Sequence, residues 1–80
     1  MTAFTYIHRC KDDVQRIFYV GKGSNNRHTS YSNRNKHWKS IVKKHGLLAE
    51  KVAEWPTHQE ALDHEKFLIW CFKDMGISLC

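Results

Sequence analysis

Hydrophobic and polar positions alternate between two periods along this chain. Residues 3–9, AFTYIHR, are almost all aromatic or β-branched, and residues 16–21, RIFYVG, repeat that character. The polar CKDDVQ between them is turn-forming, so the pair predicts an antiparallel hairpin. Gly21 and Gly23 then interrupt the run and leave backbone amides uncommitted. SNNRHTSYS opens on cap-type residues and predicts a short helix. Within residues 33–46, NRNKHWKSIVKKHG, the side chains of Trp38, Ile41, Val42 and His45 recur at i, i+3, i+4, i+7 and share one helical face, with Gly46 as the stop. Residues 47–55, LLAEKVAEW, alternate weakly and predict a third strand.

The last element carries the strongest signal. Thr57 and Glu60 form a capping box just after Pro56, so a helix runs from His58 to Asp74 and Gly76 ends it. The order β-β-α-α-β-α predicts an α+β fold, a small three-stranded antiparallel sheet flanked by helices. The chain has 80 residues, which amounts to one domain, residues 1–80, with a small core.

On the final helix Ala61, Leu62, Leu68, Ile69 and Phe72 make the stripe that faces the sheet, and Glu65 falls inside it, about 40° around the helix from Ala61. A carboxylate aimed into an apolar layer costs several kcal/mol unless something pairs with it. Either a buried Lys or Arg pairs with it, or the helix is rotated so that Glu65 lies at the rim of the stripe, or the carboxylate holds a divalent cation. A lone carboxylate completed by water and substrate phosphate suits Mg²⁺.

Charge sharpens this picture. The formal net charge is +5, and Arg16, Lys22, Arg27, Arg34, Lys36, Lys39, Lys43 and Lys44 follow one another with no Asp or Glu among them. Such a block is an electrostatic footprint for phosphates, although it also serves as a solubilising face. Tyr6 and Tyr19 sit on the two hairpin strands, and Gly21-Lys22-Gly23 and then Arg27 follow. Free amides, a lysine and an arginine can hold a phosphate. The GKGS segment lacks the spacing of a nucleotide-binding P-loop. Three cysteines without close spacing argue against a disulfide framework and for a reducing, cytoplasmic setting. No C-x-x-C or H-x-x-x-H supports structural zinc. No apolar stretch reaches the length of a membrane span, and the N-terminus does not read as a secretion signal.

Over about residues 4–80 these features resemble the GIY-YIG nuclease family. FYVG (18–21) stands at the second signature and TYI (5–7) near the first, with FTY in place of GIY. Arg27 matches the family's arginine after the second signature, and Tyr31 follows where the family often carries His or Tyr. HWKSIVKKHG (37–46) looks like the next helix, with His37 at a position that faces the active site in some members. Glu65 matches the metal-binding glutamate. The Asn often found shortly after the last helix has no counterpart up to Cys80.

The resemblance implies a metal-dependent endonuclease that hydrolyses DNA phosphodiester bonds with Mg²⁺ or Mn²⁺. Glu65 would hold the metal, Arg27 would stabilise phosphate charge, and Tyr6 and Tyr19 would activate or position water. Lys22 would lower the tyrosine's proton affinity, and Tyr31 and His37 would assist. Lys22, Arg34, Lys36, Lys39, Lys43 and Lys44 would contact other phosphates of double-stranded DNA, with little sequence preference because such contacts position a duplex without reading it. Trp38 reads as core rather than as a base-stacking platform. Glu65, Arg27 and the two tyrosines are expected to meet in one shallow groove. The alternative is a basic nucleic-acid-binding module that keeps the fold without the chemistry. No membrane partner is expected, and an oligomer is compatible with either reading.

Overall fold

A computed structural model describes residues 2–12, 14–24, 27–30 and 34–79. Three strands, β1 (Ala3–Arg9), β2 (Ile17–Gly23) and β3 (Leu48–Trp55), form one antiparallel sheet in the order β2-β1-β3. Two α-helices flank it, α1 (Lys36–His45) and α2 (His58–Asp74), giving an α+β architecture. Within the segment expected to form a short helix between β2 and α1, the described residues form a 3₁₀ turn, Arg27–Thr29, closed by the Ser30 amide on the Arg27 carbonyl. Among the described residues no helix is long and apolar enough to cross a membrane.

The central position of β1 explains its composition. All of its residues from Ala3 to His8 are buried, because helices cover both faces and strands cover both edges. Such a strand has no solvent face on which to alternate. One face presents Phe4, Tyr6 and His8 to the 3₁₀ turn and α1. There the ring of His28 meets Phe4 edge-on at 5.2 Å, and Trp38 reaches His8. The other face presents Thr5 and Ile7 to α2, where Thr5 Oγ1 lies 2.8 Å from His64 Nδ1. Two irregularities adjust the sheet. The β1–β2 register passes from His8↔Tyr19 to Arg9↔Ile17 and so skips Phe18, and the β1–β3 register passes from Thr5↔Ala53 to Tyr6↔Lys51 and skips Val52. The first bulge lets Phe18 join Cys10, Trp38 and Ile41 in the main core cluster, with Val42 packed at its edge.

Helix α2 begins where its capping box predicts, and α1 begins after a cap of its own. Asn35 Oδ1 accepts from the Trp38 amide at 2.7 Å, and Thr57 Oγ1 accepts from the Glu60 amide at 3.2 Å. Gly46, at φ +78°, ends α1 in a conformation that L side chains rarely adopt. On α1, Trp38 and Ile41 are buried. On α2 only Ala61 is fully buried; Leu62, Leu68, Ile69 and Phe72 are half-buried, while Phe67 and Trp70 on the far side stay exposed.

Local hydrogen bonding decides the protonation state of one core side chain. Trp38 Nε1 can only donate, so His8 Nδ1, 2.9 Å away, accepts. His8 Nε2 therefore carries the proton and donates to the His28 carbonyl at 2.6 Å. The bond from Trp38 requires neutral imidazole, because a protonated Nδ1 could not accept it, whereas the His28 carbonyl accepts from Nε2 in either state. Burial accordingly lowers the His8 pKa from 6.5 to about 4, against the opposing pull of the His28 carbonyl and with help from nearby Arg34. The sign follows: between pH 6.5 and about 4 the unfolded chain binds the proton and the folded one does not. Stability should fall by about 3 kcal/mol as pH drops through that window and then level off. Denaturant unfolding across pH checks this, and His8→Gln, which can accept and donate but not titrate, should flatten that limb.

Candidate active site around strand β2

The sheet decides which candidates meet. Tyr6 opposes Gly21 in the ladder, and a Cβ on Gly21 would lie 2.5 Å from the Tyr6 hydroxyl and 2.9 Å from the Tyr19 ring. Glycine is required there because the two aromatic side chains occupy that space. Tyr6 and Tyr19 stack at 6.1 Å, and Tyr19 also stacks on His8 at 5.3 Å. Gly23 plays the same part for Arg27, whose Cβ and Cγ would both sit 2.6 Å from an added methyl group. The glycines of the GKG segment thus admit Tyr6, Tyr19 and Arg27 onto one face of the sheet.

Arg34 lies at the centre of that face. Its Nη1 donates to the Tyr6 hydroxyl at 3.1 Å, Nη2 to the Arg27 carbonyl at 2.9 Å and Nε to the Ser30 carbonyl at 3.0 Å. The guanidinium also lies 5.0 Å from the Tyr19 ring centre, 5.2 Å from Trp38 and 5.7 Å from Tyr6. Arg34 is 7 % exposed, so the expected exposed phosphate contact is corrected: this side chain is part of the interior. Its place follows from the α1 cap. Asn35 anchors the helix start, and the residue before it is turned inward over the sheet.

Tyr6 is not suited to the role of base. It is 1 % exposed, and burial raises its pKa above 10, outweighing the lowering effect of the Arg34 hydrogen bond. The phenol stays protonated at neutral pH and accepts from Arg34. The expected help from Lys22 also fails, for a topological reason. Lys22 opposes Thr5 in the ladder and so points to the opposite face, toward α2. The charges felt by Tyr6 come from Arg34 and Arg27 instead.

On the α2 face the charge of Lys22 acts on Glu65. The Glu65 carboxyl is half-buried, as the helical pattern predicts, and makes no hydrogen bond or ion pair with any described residue. Burial raises its pKa above the ordinary 4.5, only partly offset by Lys22 and then Lys66. The expectation of one groove shared by Glu65, Arg27 and both tyrosines therefore needs correction. Strand pairing places Lys22 and Glu65 on one side of β2 and Tyr6, Tyr19 and Arg27 on the other. β2 is an edge strand, so no further strand stands between the two sides.

The chain gives no significant match to any protein-family model, curated protein or solved structure.

The remaining candidates are spread out. Lys36, His37, Lys39, Lys43 and Lys44 are all exposed on α1, as a phosphate-contacting surface requires. Tyr31 lies outside the described residues. Among the described residues no three His, Cys, Asp or Glu side chains converge, so a cation would rest on Glu65 with oxygens from water and substrate. An uncompensated, half-buried carboxylate fits that use. Sequence reasoning missed His8 and His28. Their partners lie 30 and 20 residues away along the chain, with no local spacing to reveal them.

Ionised Glu65 opposes folding at neutral pH, because its folded pKa is raised. Glu65→Gln should therefore raise the melting temperature at pH 7, and the gain should vanish once pH falls below about 4.5, where the wild-type carboxyl is protonated in both states. Thermal melts at the two pH values decide this.

Proposed function

We propose that the chain is a metal-dependent endonuclease that hydrolyses DNA phosphodiester bonds at the open edge of β2. The observation that carries this reading is Glu65: a half-buried carboxylate with no hydrogen bond or close ion pair among the described residues and only partial offset from Lys22 and Lys66, whose cost to folding is explained if a cation completes it. Mg²⁺ or Mn²⁺ bound there would supply Lewis-acid polarisation of a phosphoryl oxygen. Arg27, on the 3₁₀ turn that follows β2, donates to the charge that builds on the phosphate oxygens. Tyr19, half-exposed, orients the phosphate or the attacking water, and Tyr6 acts through its protonated hydroxyl rather than as a base. Lys22 balances the acid and adds positive potential. The exposed α1 lysines hold the flanking duplex by its phosphates, which gives affinity without sequence choice. One site cuts one strand, so a double-strand break takes two copies or two successive cuts. A reducing, cytoplasmic setting belongs to the same proposal and agrees with the free thiols of Cys10 and Cys71.

A second reading has an observation of its own. The sheet stands between Glu65 and the Tyr6–Arg27 side, as it would in a DNA-binding module that keeps the fold without the chemistry. The two separate in a supercoiled-plasmid assay with Mg²⁺, Mn²⁺ and EDTA. The nuclease reading expects nicking with metal, and a loss of about 10²-fold or more in Glu65→Gln and Arg27→Ala with the fold retained. The binding-module reading expects no nicking in any metal, and salt-sensitive DNA binding that Glu65→Gln leaves unchanged.

A further inference from the structure

We infer that Arg34 is the positioning residue of the site: it sets the place of Arg27 and the orientation of the Tyr6 hydroxyl, and acts on turnover rather than on DNA affinity. This rests on the nuclease reading of Arg27.

The 3₁₀ turn that carries Arg27 spans three residues, and its backbone bonds include Arg27 N–H to the Ser24 carbonyl at 3.1 Å and Ser30 N–H to the Arg27 carbonyl at 3.2 Å. Side chains fasten it to the sheet as well. Arg34 takes the carbonyls of Arg27 and Ser30, and His8 takes the carbonyl of His28 between them. Arg34 is in turn fixed from three directions, by the Tyr6 hydroxyl, by the rings of Tyr19 and Trp38, and by the capped start of α1 immediately after it. A planar fork with donors at fixed angles can hold two carbonyls and a phenol oxygen at once, whereas an ammonium on a flexible stem cannot fix the same three. Because the fork occupies a lone pair of the Tyr6 oxygen, the phenol proton is turned away from Arg34.

The missing counter-charge points the same way. No carboxylate among the described residues pairs with this buried guanidinium, and its three hydrogen bonds all go to neutral oxygens. Filling the volume alone does not require a cation here, but three neutral oxygens converge on this position and call for donors at fixed angles. A geometric fork aimed at the Arg27 backbone supplies them.

The test compares wild type, Arg34→Lys and Arg34→Met in single-turnover cleavage of a DNA duplex with Mg²⁺, alongside DNA affinity and amide hydrogen exchange. Arg34→Lys keeps the charge and loses the fork. Its expected result is a fall in cleavage rate of about 10²-fold with DNA affinity within about twofold of wild type. Exchange of the Ser30 amide should be faster by about tenfold or more, with the β1 and α2 amides unchanged. Wild-type turnover in Arg34→Lys, or a loss confined to DNA affinity, overturns the inference. If Arg34→Met fails to fold, Arg34→Lys still decides. If wild type itself does not cleave, the nuclease reading fails, and the positioning of the turn is judged by exchange: a change confined to the 3₁₀ turn upholds it, and a uniform or absent change refutes it.

Discussion

A buried guanidinium with no carboxylate partner among the described residues holds one side of this protein together. Arg34 joins β1, β2, the 3₁₀ turn and α1 through Tyr6, Tyr19, two turn carbonyls and Trp38. Its desolvation is met by three hydrogen bonds and by three ring faces, each able to offset part of the cost of removing a cation from water. The neutral His8 beside it completes the frame, linking Trp38 to the His28 carbonyl. A small domain with few large buried side chains depends on such polar ties more than a larger one does, because its apolar burial is limited.

The two faces of the sheet carry charged groups of opposite sign. Arg34 is buried on the face of the 3₁₀ turn and α1; Glu65 is half-buried on the α2 face, moderated by Lys22. Neither has an oppositely charged partner at salt-bridge distance among the described residues. Left alone, ionised Glu65 destabilises the fold, whereas the Arg34 cation is met by its hydrogen bonds and rings. Under the proposed function a divalent cation would answer Glu65, and a phosphate would reach Arg27 on the other face. The edge position of β2 is the physical condition for this, because a ligand can pass from one face to the other only where the ladder ends.

Much of the fold is legible in the sequence because its signals are local. The β1 segment reads directly as an aromatic and β-branched run, and α2 begins and ends where Thr57, Glu60 and Gly76 place it. The burial of Glu65 follows from helical periodicity, and that of Trp38 from the same rule on α1. The 3₁₀ turn reads less well, since side chains from distant elements hold it and no local period marks it. Arg34 is hidden for a related reason. In sequence it is one more cation in a basic block, and only the turn into α1 directs it inward. The division of the site by the sheet needed the register: Tyr6 and Lys22 look like neighbours along the hairpin until the Tyr6↔Gly21 and Thr5↔Lys22 pairs place them on opposite faces.

The most direct measurement is Mn²⁺-induced paramagnetic broadening in ¹⁵N-labelled protein, compared between wild type and Glu65→Gln. The account predicts that the amides of Glu65 and Lys22 broaden first in wild type and stay sharp in Glu65→Gln. Equal broadening in both proteins, or broadening centred on another acid such as Asp12 or Asp63, would contradict a cation site at Glu65.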